Sequence, residues 1–389
     1  MSVLSCIYNS TEFEYTLIYQ EKEKISKSLF RLSFPDGFIY KPVQIYDGFL
    51  FAVLSKSMFS SENLYTDLPM SIYGLRQANF LIEAWHNLNP NKYSKIKIFA
   101  SNICDEFLIT EKQEVISAFS GGVDACFTLA RHNEKDWGTA SYDLKNVLCV
   151  HGFDIHPNQY NEYTKLMHRM LPILDHYGCK QFNVWTNIRE TLIQDWEMTH
   201  SAQLASCLHL LSEHFTSALL GSSDPYNEFD IRWGSNPAID FLFSSSRMKL
   251  VHDGAGFTRT QKVHRISSNP VILGSLKVCW QNSADNNCGI CEKCYRTRLN
   301  FLASGVVNPS CFDQNIKLSK LFFIKIDNRS SISELKSVLH YAKQNEIKAL
   351  WSFLLQLVIL KSNIFVNLNL WRKSVKYFIK DLFTKRYSS

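Results

Sequence analysis

The chain of 389 residues predicts an α/β fold: a doubly wound, mostly parallel sheet, with an α+β region before it and a helical region after it. Three observations carry that expectation. Between about 111 and 312, short apolar runs alternate with segments whose apolar residues recur every three or four positions. A turn of Ser120, Gly121 and Gly122 separates one such run from one such segment. Four cysteines gather farther on, at Cys279, Cys288, Cys291 and Cys294.

Residues 1–110 read as an accessory α+β domain. Phe13–Tyr19 and Phe49–Leu54 are β-rich runs. Ile72, Leu75, Ala78, Leu81, Ile82 and Trp85 repeat at helical spacing, which predicts a helix over 71–88 with one buried face. Lys95–Ala100 reads as a strand. In the second zone, 111–312, strands are expected at Val115–Phe119, Val147–His151, Phe182–Trp185 and Ala218–Leu220. Helices are expected at Asp124–His132, Tyr160–Tyr177 and Ala202–Phe215, with Pro172 bending or breaking the second. Residues 313–389 read as a basic helical region. Ala349–Leu360, interrupted by Ser352 and Gln356, reads as a buried helix and is short of the roughly 20 residues of a membrane span. Leu368, Trp371, Val375, Phe378 and Leu382 share one helical face, with Arg372, Lys373, Lys376 and Lys380 beside or opposite it. That segment reads as a surface helix packed on its own domain, ahead of a membrane-surface or nucleic-acid contact.

Composition narrows the class. Apolar residues at 46% and aromatics at 13% exclude a disordered chain. Eleven cysteines cannot all pair, and no secretory leader is legible, so a cytoplasmic protein with free thiols or metal ligands is expected. The net charge of +6 is uneven: from Asp313 onward there are 14 basic and 5 acidic residues, so the preceding body carries a small acidic excess.

The glycine turn is where chemistry is expected. A strand that turns sharply into a helix aims the first, unpaired helix amides at one spot. Gly121 and Gly122 permit positive φ and close approach of a phosphate. The helix N-terminus favours an anion. Ser120 adds a hydroxyl, and Asp124 can cap the helix or hold Mg²⁺ beside the phosphates. The cysteines supply a second site. The spacing C-x8-C-x2-C-x2-C offers four thiolates, with Gly289 easing the knuckle, and four thiolates suit a structural Zn²⁺ ahead of an iron–sulfur cluster. The other seven cysteines are scattered and read as small buried hydrophobes.

Ser120-Gly121-Gly122-Val123-Asp124-Ala125 resembles the SGGxDS signature of the PP-loop ATP pyrophosphatases. One hydroxyl is missing, because Ala125 stands where the signature ends in Ser; a neutral hydrogen bond of that kind is worth about 0.5–1.5 kcal/mol. Together with the cysteine spacing, the loop resembles the QueC-like, 7-cyano-7-deazaguanine synthase family. The resemblance runs over about 113–305. It includes Val147–Asp154, where Asp154 would approach the nucleotide, the segment Asn236–Asp240, Lys277–Trp280, and Cys294–Arg298. It implies an adenine nucleotide alpha-hydrolase-like fold, with ATP held by Ser120, Gly121, Gly122, Val123, Asp124, Ala125 and Asp154. Ser120 and Asp124 would be the catalytic residues, with Mg²⁺ beside them and Zn²⁺ on the four cysteines. Arg259, Lys262 and Arg265 are candidates for binding phosphate or a substrate carboxylate.

The expected activity is adenylation of a deazaguanine-like or related carboxylate with release of pyrophosphate, then amide or nitrile formation with ammonia or an amine. A peptide or protein could serve as the acceptor. Two other readings remain: a PP-loop tRNA-modifying enzyme, with Cys126 or Cys149 as its reactive thiol and the basic tail on nucleic acid, and a scaffold that keeps the fold with little catalysis. Related enzymes are often dimers, so an oligomer is open by analogy alone and the sequence does not fix it.

Overall fold

The computed structural model of the chain describes residues 1–104, 114–192, 195–228, 233–279, 286–324, 326 and 329–366. The strands are β1 (Ser2–Asn9), β2 (Glu14–Glu21), β3 (Lys24–Ser33), β4 (Leu64–Thr66), β5 (Met70–Ser71), β6 (Ile98–Ala100), β7 (Ile103–Cys104), β8 (Val115–Ala118), β9 (Asn146–His151), β10 (Lys180–Thr186), β11 (Ser217–Gly221) and β12 (Lys249–Asp253). The helices are α1 (Asp47–Ser60), α2 (Ile72–Leu88), α3 (Val123–Asn133), α4 (Tyr160–Tyr177), α5 (Ile188–Thr191), α6 (Trp196–His209), α7 (Arg259–Ile266), α8 (Pro270–Ser275), α9 (Glu292–Ala303), α10 (Leu318–Leu321) and α11 (Arg329–Gln344). A further helix, α12, occupies 350–366.

The architecture is α/β, as expected. Ten strands form one mostly parallel sheet in the order β12-β11-β8-β9-β10-β3-β2-β1-β4-β6. The five strands of the second zone, β12 to β10, are all parallel. Their order reverses at β8, with β9 on one side and β11 on the other. Helices α3 and α4 carry the crossovers from β8 to β9 and from β9 to β10, as parallel pairing requires. The hairpins β1–β2 and β2–β3 then extend the sheet, and β3 joins β10 antiparallel, Trp185 opposite Arg31.

The first and second zones share this sheet and one core. Leu4, Phe30 and Trp85 belong to the same buried cluster as Ile116, Leu148, Val184 and Leu250. The expected accessory domain 1–110 therefore has no separate core among the described residues, and its expected boundary falls outside them. The third zone builds its own small core on α9, where Tyr295 and Leu299 meet Leu335, Val338, Trp351 and Leu355.

Several expected elements change. Phe49–Leu54 lies in α1, not in a strand. Eleven of the fourteen α1 residues are buried, between α2 and α6, so no polar face marks the helical period. Gly48 allows the approach to α6: a Cβ there would lie 2.5 Å from His209 Cβ. Pro172 does not break α4. Pro172 and His168, whose carbonyl loses its helical partner, are both exposed, so water can satisfy that group. The helix expected over 202–215 starts at Trp196 and ends at His209. The run Ala349–Leu360, helical from 350, is buried on one face only: Trp351, Leu355, Val358 and Ile359 are buried, while Leu350, Phe353 and Leu360 are exposed. The amphipathic segment 368–382 and Trp280 lie outside the described residues.

Buried charge ties β12 to α3. Asp253 accepts hydrogen bonds from Thr128 Oγ1 (2.7 Å) and His132 Nε2 (3.2 Å), and Arg131 Nη1 lies 3.4 Å away. Burial works to raise its carboxyl pKa, but the His132 and Thr128 hydrogen bonds and the Arg131 charge outweigh it and the pKa falls. Asp253→Asn would leave Arg131 buried without its counter-charge. A loss of about 3–5 kcal/mol is expected in urea denaturation. Lys165→Met, which removes the exposed pair with Glu162, should cost under about 1 kcal/mol.

Candidate functional site

The glycine turn lies at the carboxyl end of β8, where the strand order reverses. Ligand crevices of open parallel sheets form at such points. Gly121 adopts φ +68°, and a Cβ on it would lie 2.7 Å from Met170 Sδ. Glycine is thus needed there for conformation and for space. Gly122 is the N-cap of α3 and no side chain caps the helix, so its first amides stay available at the crevice. Ser120 is exposed, while Val123 and Ala125 are buried under the turn.

Asp124, in the first turn of α3, meets two cations from α7. Arg259 Nη2 lies 2.7 Å from Oδ2, and Lys262 Nζ lies 3.2 Å from Oδ1. Both cations are held in place. A capping box of Thr258 and Gln261 starts α7, and Lys262 Nζ also donates to the Ser222 carbonyl. Burial lowers the Lys262 ammonium pKa, with Asp124 opposing. Burial also works against the Arg259 charge, but Asp124, Glu334 and Asp224 outweigh it. Arg265 is elsewhere. Six residues along α7, about 9 Å down the axis, it pairs with Glu134 (2.6 Å) and Asp136 (2.7 Å) at the far end of α3. Arg259 and Lys262 therefore reach the turn, and Arg265 does not. Mg²⁺ does not fit Asp124 as arranged, because a cationic side chain already holds each oxygen.

The four cysteines converge. Their sulfurs lie within 4.8 Å of one another, with Cys279 Sγ 3.9 Å from Cys291 Sγ and Cys288 Sγ 3.8 Å from Cys294 Sγ. Tetrahedral thiolates at a Zn–S distance of about 2.3 Å stand about 3.8 Å apart, so the set fits one such ion. These separations are far beyond the about 2.05 Å of a disulfide. The knuckle is built locally. Cys288 Sγ accepts the Cys291 amide (3.3 Å), and Cys291 Sγ caps α9 through the Cys294 amide (3.4 Å). Hydrogen bonding from the Cys294 thiol and amide and from the other two thiols holds the Cys291 pKa at about 5, despite burial. Gly289 has φ +69°, and a Cβ there would meet Arg298 Nη2 at 2.8 Å. Asn287 braces the first ligand: its Oδ1 accepts from the Val278 and Cys279 amides, and its Nδ2 donates to the Leu276 and Cys311 carbonyls.

The two sites touch. The Lys277 amide donates to the Gly121 carbonyl at 2.8 Å, two residues before the first cysteine ligand. Farther along the knuckle, Lys293 is placed by α9 where Asp154 and Asp124 favour its charge, although burial lowers its pKa. Arg296 pairs with Glu292 and with Glu334 of α11, and Asn300 Nδ2 donates to Glu334 Oε1 (2.8 Å). Ser330 of α11 donates to Asp224 Oδ1 (3.1 Å). The third zone thus forms one wall of the site.

Sequence reasoning missed Lys293 and Glu334 as site residues, gave Arg296 only as part of Cys294–Arg298, and did not foresee that Asp240, in the segment Asn236–Asp240, pairs with His252. His252 Nδ1 donates to Asp240 Oδ2 at 2.7 Å, Ser235 shares that oxygen, and among the described residues neither Asp240 Oδ1 nor His252 Nε2 has a hydrogen-bond partner. No fixed spacing links these residues. The only available signal was that Lys293 and Arg296 sit one and two positions from Cys294. Asp154 is exposed at the end of β9.

Compared with protein-family models, curated proteins and solved structures, the chain matches none of them. The metal centre can be tested by itself. Elemental analysis of the purified chain is expected to find one tetrahedral ion per molecule. Cys294→Ser should lose that ion and lower Tm by about 5 °C or more in differential scanning fluorimetry.

Proposed function

We propose that the chain is an ATP-dependent carboxylate-activating enzyme of the QueC-like, PP-loop type, with Zn²⁺ on its four cysteines. One observation carries the reading. An uncapped helix N-terminus and a tight glycine turn sit at the strand-order reversal, with Arg259 and Lys262 facing them. That is an arrangement for a polyphosphate: backbone donors at one end and fixed cations beside it.

In this reading a carboxylate oxygen attacks the α-phosphorus of ATP and pyrophosphate leaves. An amine nitrogen then attacks the activated carbonyl carbon, AMP leaves, and the nitrogen gives its proton to solvent. The residues serve the first step. The α3 amides and Ser120 hold phosphate oxygens, and Arg259 and Lys262 meet the charge that grows on the departing pyrophosphate. Zn²⁺ would be structural, since four thiolates leave no open position. Its service is to press the segment before Cys279 against the Gly121 turn.

The tRNA-modifying alternative needs a reactive thiol near the turn. Cys126 and Cys149 are fully enclosed, burial raises both thiols, and Cys149 reaches about 12, which weighs against it.

The test is pyrophosphate release with ATP over a panel of carboxylates that includes deazapurine and other heteroaromatic acids. Carboxylate-dependent release is expected. Arg259→Ala should reduce it about a hundredfold or more, and Ser120→Ala about tenfold or less. Calorimetry that finds no ATP binding at millimolar concentration would favour the non-catalytic scaffold. Tight, salt-sensitive tRNA binding would favour the nucleic-acid reading.

A further inference from the structure

The described part of the third zone leaves one helical face bare. On α12, Trp351, Leu355, Val358, Ile359 and Val366 pack into the core built on α9. The other side carries Leu350 (68% exposed), Phe353, Leu357, Leu360 (61%) and Ile364, at steps of 3, 4, 3 and 4. Such steps place them in one stripe along the helix. Phe322 and Phe323 join it: Lys361 Nζ donates to the Phe322 carbonyl at 2.6 Å and lies 4.9 Å from that ring's centroid, while Phe323 is 80% exposed. Contiguous apolar surface of this kind marks a docking face.

Charge identifies what it docks on. Exposed Lys317, Lys320, Lys336, Lys343, Lys348 and Lys361 belong to the same zone. Of the described acids from 314 to 366, Glu334 is taken up by Arg296 and Asn300, which leaves Glu346. A second copy would bring the same positive zone against itself, which costs Coulomb energy. An anionic surface would gain it. The sequence beyond 366 keeps both properties. Leu368, Trp371, Val375, Phe378 and Leu382 continue the stripe's spacing from Ile364, and six basic residues accompany one acid there. Bulky apolar residues along one helix side, an aromatic pair beside it and lysines around it make up the chemistry of an interfacial helix.

We propose that the bare face of α12, with Phe322 and Phe323, docks on the headgroup region of an anionic lipid membrane. The helix lies in the interface and does not cross it; no helix of the described residues is long and apolar enough to cross a membrane. The proposal does not depend on the enzymatic reading, because it uses none of the groups around Asp124 or the cysteines.

The test is co-sedimentation of the full chain with vesicles of phosphatidylcholine alone or of phosphatidylcholine with phosphatidylserine. Binding to the phosphatidylserine vesicles, weakened by added salt, is expected. Phe353→Asp and Leu360→Asp should each weaken it about tenfold or more, and Phe323→Asp should weaken it outside the helix, all with Tm unchanged because these side chains are more than half exposed. Absence of binding to phosphatidylserine vesicles would overturn the proposal. So would binding that all three variants leave intact and deletion of 367–389 abolishes, since the tail alone would then be the anchor. A concentration-dependent dimer in sedimentation velocity that Leu360→Asp dissolves would assign the face to a second copy instead.

Discussion

Four cysteine sulfurs lie within 4.8 Å of one another, a set that can hold a single metal ion, and this convergence organises the segments around it. The convergence brings the residues before Cys279 and the start of α9 together. At its front, the Lys277 amide donates to the Gly121 carbonyl, so the cysteine cluster adjoins the turn at the carboxyl end of β8. At its back, the Cys291 cap starts α9, and α9 presents Arg296 and Asn300 to Glu334 of α11. The cysteine cluster thus stands between the glycine turn and the third zone, linked to each through hydrogen-bonded neighbours.

The sheet supplies the opposite wall. Five parallel strands set the crevice, but they do not end at β10. The antiparallel β3 covers the edge that β10 would otherwise expose, and α1 lies on α6. An open edge on a parallel sheet invites pairing with another chain, so the first zone has a structural role whatever else it does. It also shares the core that holds β8, through Ile116 and Leu148. The first zone could not be removed without exposing that core.

How much was legible depended on whether the signal was local. The β8 strand, the glycine turn and α3 were readable because a strand, a turn and a helix follow within about twenty residues, and each has its own pattern. The cysteine knuckle was readable from spacing, since adjacent turns set which thiols can share an ion. Helix α2 was readable because only one face is buried, and α1 was misread because it is buried all round and its period vanishes. Lys262 was a bare guess from sequence, and the same reasoning gave equal weight to Arg265. Only the axial rise of α7, set against α3, separates the two. Glu334 had no sequence signal, and neither did the pairing of Asp240 with His252, although Asp240 falls in a segment that the resemblance covers, because the tertiary fold alone brings these partners together.

The charge balance around Asp124 constrains what the crevice can do. Arg259 and Lys262 face one carboxylate, and Arg259 is favoured further by Glu334 and Asp224. In this state the carboxylate serves as the counter-ion of the pair. A polyanion arriving at the α3 amides would bring like charge toward Asp124 and opposite charge toward Arg259 and Lys262. The cations can then exchange one partner for another, while Lys262 remains anchored by the Ser222 carbonyl. Like charge would then face like charge at Asp124, so its pairing with Arg259 and Lys262 sets the electrostatic balance that any anion at the turn must meet.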